Sequence, residues 1–416
     1  MRMLRTLLVV FGLVIVAAGP AAAAPPSTDH TANADAATSW LAAQVSGDGH
    51  IASAIGPYSA TAQAVPLFAA TGVGLDHIPT MLTYLGAHVD DFASFGGGDH
   101  AGELSYLILA AVAGGQSPTA FGSPATDLVA RLEAIEQTVG TDAGLFGSQD
   151  PTFDGAFRQG LALLALDAAG VTPDAAAISW LSDQQCANGL WTAYRADTSI
   201  ACPPVDTNTF SGPDTNSTAQ AVIGLQVSGS TAEATAGVTA LKAIRNSDGA
   251  WGYLADSAQP TDSNSTGIVG TALQLVDGAA DAQALAAIEA AQVGCDGDPL
   301  DVGGIAYQGP PPLAPDTLAT VQAAPALAGI QVPVTEQAVV TTLKSSCIAP
   351  PVGDPGPSTT VPVTDPATTS TVPETGVKGN ELARTGSADL PLTVIALALV
   401  GGGVVLVGAA RRRRQA

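Results

Sequence analysis

A chain of 416 residues with 14 Lys and Arg against 37 Asp and Glu, a formal net charge of −23, is a poor partner for nucleic acid or anionic lipid. Aromatic residues make up 5% of the chain, which argues against an aromatic-lined pocket. The five histidines, His30, His50, His77, His88 and His100, all fall in the first hundred positions, so no zinc site with the usual ligand set can be drawn, and neither metal nor cofactor is expected. At the start, Arg2 and Arg5 precede the apolar run Leu7 to Ala18, followed by Gly19, Pro20 and Ala21 to Ala24. That is the layout of a secretory signal peptide, residues 1–24.

From Asp29 onward the pattern turns helical. Thr61-Ala62-Gln63-Ala64-Val65 returns as Thr218-Ala219-Gln220-Ala221-Val222, and related stretches open at Ala101, Phe157, Thr266 and Thr320, at spacings of 40 to 61 residues. A period of about 52 residues marks a supersecondary repeat. Each stretch opens a small-residue apolar helix that is expected to end at a glycine, Gly72, Gly114, Gly170, Gly229, Gly278 or Gly329, because glycine takes the left-handed C-cap without strain. More amphipathic helices precede most of them, at Asp35 to Gln44, Ala125 to Gln137, Thr172 to Gln185 and Thr231 to Arg245. Helices apolar on every side must be buried on every side, whereas amphipathic ones can face water. Residues 25–348 are therefore read as all-α, an α6/α6 toroid of six helical hairpins with the apolar helices inside. A right-handed solenoid of the same hairpins is the competing arrangement.

The turns between the helices carry a family pattern. Gln185-Cys186-Ala187-Asn188-Gly189-Leu190-Trp191 fits Q-x-x-x-G-x-W, and Arg245-Asn246-Ser247-Asp248-Gly249-Ala250-Trp251 fits it with Arg245 replacing the glutamine. Weaker copies lie at Gln137 to Phe146 and Gln44 to Ile51. On these motifs the chain resembles the prenyltransferase and squalene-oxidase repeat proteins, and the resemblance implies a closed, squalene-cyclase-like toroid. The chemistry of those families is not implied with it. The D-x-D-D acid motif is missing, since His88-Val89-Asp90-Asp91 lacks the first aspartate, and a D-D-x-x-D magnesium site starting at Asp90 fails at Ser94.

What the inner helices do repeat is a polar start. Asp214-Thr215-Asn216-Ser217-Thr218 and Asp262-Ser263-Asn264-Ser265-Thr266 are nearly the same string, and Asp316-Thr317 with Thr320 is a reduced copy. Such residues cap helix N-termini, which explains each of them without a ligand. Ring closure would bring all six inner N-termini to one mouth and make candidate ligand-binding residues of Asp99, Glu103, Asp154, Arg158, Asp214, Asn216, Asp262, Asn264 and Asp316. Asp99 and Glu103, four apart, are expected on one helical face. Paired carboxylates can hydrolyse a glycan, although first-turn acids also suit the helix dipole.

The four cysteines, Cys186, Cys202, Cys295 and Cys347, lie in the part expected to be exported, where disulfides persist. Three pairings are possible, and the sequential one, Cys186 with Cys202 and Cys295 with Cys347, is favoured. Residues 349–381 hold seven prolines and seven threonines and read as an extended stalk. Next comes Leu382-Ala383-Arg384-Thr385-Gly386, then the uncharged run Leu390 to Ala410, long enough for a transmembrane helix, then a basic tail, residues 411–416, with Arg411 to Arg414. In that order they resemble the sortase signal of a Gram-positive surface protein, with Ala383 where the better known form has proline. The resemblance implies a sortase and peptidoglycan as partners and a membrane precursor. A plain single-pass anchor is the alternative.

The leading expectation is thus a wall-anchored extracellular protein whose toroid binds a small molecule or a surface partner without catalysis. Cofactor capture in the manner of the toroidal cobalamin carriers is a specific variant. The alternative is a carbohydrate-active or other hydrolytic enzyme using carboxylates at the mouth.

Overall fold

The computed structural model describes residues 30–147, 154–309 and 311–339. The expected signal peptide, stalk and sortase pentapeptide, with the apolar segment, the basic tail and Cys347, lie outside them. Thirteen α-helices occur among the described residues: α1 (Thr31–Ala43), α2 (Pro57–Thr71), α3 (Ile78–Ala87), α4 (Val89–Ala93), α5 (Ala101–Ala113), α6 (Leu128–Ala134), α7 (Ala156–Ala168), α8 (Ala175–Asp183), α9 (Thr215–Val227), α10 (Thr231–Ala243), α11 (Ser263–Asp277), α12 (Ala282–Ala290) and α13 (Thr317–Leu327). Two short antiparallel pairs accompany them. β1 (Ser94–Phe95) pairs with β2 (Gly98–Asp99), and β3 (Trp191–Thr192) pairs with β4 (Pro213–Asp214). None of the described helices is long and apolar enough to cross a membrane.

The apolar helices form the inner ring. In order, α2 packs on α5, α5 on α7, α7 on α9, α9 on α11, α11 on α13, and α13 returns to α2. This last contact closes the circle and rules out the open solenoid. The outer helices α1, α3, α6, α8, α10 and α12 pack against the inner ones beside them. Burial follows composition: every residue of α9 from Thr215 to Leu225 and of α11 from Ser263 to Gln274 is buried, whereas α10 buries one stripe. Close approach of inner helices is made by glycines facing one another. A Cβ on Gly160 would lie 2.2 Å from the carbonyl oxygen of Gln220, and one on Gly224 would lie 2.5 Å from that of Gly160.

The repeated threonine has a structural duty. Thr61, Thr218, Thr266 and Thr320 each donate Oγ1 to the carbonyl four residues back, at 2.6 to 2.8 Å. Each also accepts from the backbone of the preceding outer-to-inner turn: Ile51, Trp191, Trp251 and Ile305 donate their N–H at 2.8 to 3.2 Å. At the corresponding place in the third unit Gln159 Oε1 accepts from Phe146 N at 2.8 Å. One side chain thus staples turn to helix in five of the six units. The indoles behind the turns are fully buried, Trp191 Nε1 donating to Leu181 O and Trp251 Nε1 to Leu241 O, both at 2.8 Å. Gly189 and Gly249 sit at φ 87° and 88°, the left-handed region that makes glycine the residue for this turn.

The sequence boundaries need two corrections. α5 ends with Gly114 at φ −82°, and Gly115, at φ 76°, takes the left-handed position instead. Asp99 belongs to β2 and precedes α5, so it does not share a helical face with Glu103. Cys186 and Cys202 are bonded, with Cα atoms 5.6 Å apart, as the sequential pairing expects.

Candidate active site

The N-termini of α5, α7 and α9 converge, with the segment after β3 and the hairpin before β4, on a cavity of about 280 Å³. Its polar wall is Glu103 and Arg158 on one side and Asp214, Asn216 and Ser217 on the other. Its apolar wall is Tyr106, Phe157, Tyr194, Phe210 and Tyr253. A chain poor in aromatics has placed a third of its fifteen Phe and Tyr residues here. The expectation that no aromatic-lined pocket exists is therefore corrected. Composition averages over the chain, and the rings are gathered by loops whose positions the sequence does not reveal.

Glu103 is 5% exposed and sits in the first turn of α5. Its Oε1 lies 3.8 Å from Arg158 Nη2, and its Oε2 is buried with no hydrogen-bond partner among the described residues. Arg158, on α7, reaches across the start of α5, where Gly102 leaves room: a Cβ there would sit 3.0 Å from Arg158 Nε. A buried carboxyl oxygen of this kind calls for a hydrogen-bond partner.

Asp214 is 2% exposed and caps α9, its Oδ1 accepting the Ser217 N–H at 2.6 Å. Burial pushes its carboxyl up to about 7, against the opposing pull of hydrogen bonds from Ser217 and Asn216. Tyr253 beside it is pushed well up by the Asp214 charge and by burial. Asp262 repeats the arrangement on α11, capped onto Ser265 N at 2.7 Å and raised to about 6 by burial. It lines a different cavity, of about 470 Å³, with Asn246, Asp248 and Tyr307.

The nine sequence-predicted residues are thus divided. Glu103, Arg158, Asp214 and Asn216 meet at the first cavity. Asp262 faces the second. Asn264 is turned inward, donating Nδ2 to Gln322 Oε1 on α13 at 2.7 Å. Asp316 caps α13 through Ala319 N at 2.7 Å. Asp154 is buried immediately before Gly155, which lines the first cavity. Asp99 is held away from it by Arg131, whose Nε and Nη2 donate to its two oxygens at 2.8 and 2.6 Å. That ion pair keeps the Asp99 carboxyl below its ordinary range. Among the described residues no cluster of His, Cys, Asp and Glu could hold a metal ion.

No family model matches the chain, and no curated protein matches it in sequence. Solved structures do match. The unsaturated glucuronyl hydrolase of Bacillus sp. GL1, responsible for the degradation of glycosaminoglycan, is similar at 12% identity and a TM-score of 0.51, covering 74% of this chain and 98% of its own. A UGL variant with dGlcA-Glc-Rha-Glc matches at 14% identity with the same TM-score and the same two coverages. The type II terpene cyclase MstE from Scytonema matches at 14% identity and a TM-score of 0.46, over 72% of this chain and 96% of its own. The two matches at a TM-score of 0.51 show the α/α toroid fold. The expectation of a non-catalytic binding toroid is corrected here. Two of the matched rings are those of glucuronyl hydrolases, and an aromatic-lined cavity is present.

Proposed function

We propose that the cavity at the inner-helix N-termini hydrolyses a glycosidic bond. The observation that carries this reading is one aromatic-lined cavity with two carboxyls in unlike surroundings, Glu103 beside a guanidinium and Asp214 buried and raised to about 7. A carboxyl that keeps its proton near neutral pH, with a second carboxyl in the same cavity, is what glycoside hydrolysis needs. Asp214, protonated, donates to the departing glycosidic oxygen, which keeps the electron pair of the breaking C–O bond. Glu103 takes a proton from the water that attacks the anomeric carbon. The Phe and Tyr rings receive the C–H faces of the sugar. At about 280 Å³ the cavity is at the small end of ligand sites and suits one terminal sugar.

The test is turnover of unsaturated glycosaminoglycan disaccharides, manno-oligosaccharides and chito-oligosaccharides by the purified region 25–348. Asp214→Asn and Glu103→Gln should each lower kcat by about 10²- to 10⁴-fold. Because the acid must carry its proton, kcat/KM should fall as pH rises through about 7. Hydrolysis that survives both substitutions places the chemistry elsewhere.

The order of pentapeptide, apolar run and arginine cluster supports a further part of the proposal, that this enzyme works outside the cell, joined to the wall by a sortase through Thr385.

A further inference from the structure

The segment between β3 and β4 is a connection of twenty residues, and it is braced at several points. The Cys186–Cys202 disulfide ties it to the preceding turn. Arg195 spends its guanidinium on main-chain carbonyls, Nη1 donating to Gln185 O at 2.9 Å and Nη2 to Thr198 O and Ile200 O at 2.7 and 2.6 Å. At the far end, Asp206 and Ser211 exchange both main-chain hydrogen bonds, at 2.9 and 3.1 Å, and Asp206 Oδ1 accepts from Asn208 N at 2.8 Å.

The residue at the tip of that hairpin is the wrong one for its backbone. Phe210 has φ 50°, one of two non-glycine residues with positive φ among those described, where glycine or asparagine would fit with less strain. Nor is its ring enclosed. Tyr106, Phe157 and Tyr194 are partly buried against the hydrophobic core, whereas Phe210 is 38% exposed at the rim of the cavity. Strain held in place by a braced loop, at the edge of a site, calls for a functional explanation.

We infer that Phe210 is the sugar-stacking platform at the rim of the cavity, the residue that reads the ring presented next to the one being cleaved. The negative face of its π-system attracts the partly positive C–H bonds on one face of a pyranose, and discriminates against rings whose hydroxyls stand axial on that face. The proposal deepens the glycan reading and rests on it. Because the platform lies at the rim, with Glu103 and Asp214 in the cavity walls, it serves binding and not proton transfer.

The experiment pairs two substitutions of opposite structural consequence. Phe210→Gly relieves the left-handed backbone and removes the ring, while Phe210→Trp keeps an aromatic face. Dissociation constants are measured by calorimetry for an unsaturated chondroitin disaccharide, mannotriose and chitotriose, with melting temperatures alongside. The probe that binds the wild type should bind Phe210→Gly at least tenfold more weakly although this variant melts no lower than wild type, and should bind Phe210→Trp within threefold. A Phe210→Gly variant that binds as wild type, or one that loses binding only because it has lost stability, overturns the platform. Unchanged binding with turnover intact sinks the platform and leaves the hydrolase standing. Binding that depends on Phe210 in a protein without turnover sinks the hydrolase and leaves the platform. Failure of the wild type to bind all three sugars overturns both.

Discussion

Asp214 and Asp262 do two jobs that pull against each other. As N-caps each accepts a backbone N–H of its own helix, yet burial raises their carboxyls to about 7 and about 6. Between the ordinary aspartate value, about 3.9, and these raised values the folded chain binds more protons than the unfolded one, so stability falls as pH rises through this interval. The contribution is whole below about pH 4 and is lost by about pH 7. A double variant, Asp214→Asn with Asp262→Asn, keeps a capping side chain at both helices and has nothing to titrate. Its melting temperature between pH 4 and pH 7 should run flatter than that of the wild type. Parallel curves would show that burial does not raise these two groups.

Among the elements, the turn staple is the most exacting device. Thr218 Oγ1 serves the Trp191 N–H and the Asp214 carbonyl at once, both buried. Thr218→Val keeps the shape and removes the acceptor, and a buried N–H left unpaired should cost about 1 to 3 kcal/mol in denaturant unfolding. A loss below half a kcal/mol would mean that water takes the place of the hydroxyl. This staple is what the pentapeptide beginning at Thr61 and Thr218 carries; the repeat itself was legible because the pentapeptide recurs, while the staple's hydrogen bonds were not. Legible too were the helix starts, the paired Asp caps and the inner, apolar character of α9 and α11. The site was legible only in part. Glu103 and Arg158 stood out as charges at helix starts among small apolar residues, whereas Phe210 and Tyr194 lie on irregular chain, where no periodicity points to a pocket. Asp99 misled because spacing of four was read as helix when a two-residue strand intervenes, and that strand delivers it to Arg131.

At the scale of the whole molecule, a wall-joined enzyme should remain with the cell wall after detergent extraction and be released by muramidase, and Thr385→Ala should shift it to the membrane fraction. Complete extraction of the unaltered protein by detergent would leave only the plain anchor. The seam of the ring sets a further condition on how such a molecule is made. Helix α1 is fastened by partners some 260 positions later: Trp40 Nε1 donates to Leu300 O at 3.0 Å, Gln292 Nε2 to Asn33 O at 2.8 Å, and His30 Nδ1 meets Glu289 Oε1 at 2.5 Å. The first of the described helices to be synthesised is therefore among the last to find its seat, because the residues that receive it come near the end of the ring. Long-range closure of this kind slows folding and holds the chain open while it is made. An open chain is what a translocation channel accepts, so a ring that locks only when its last unit has been added fits the proposed export of this protein.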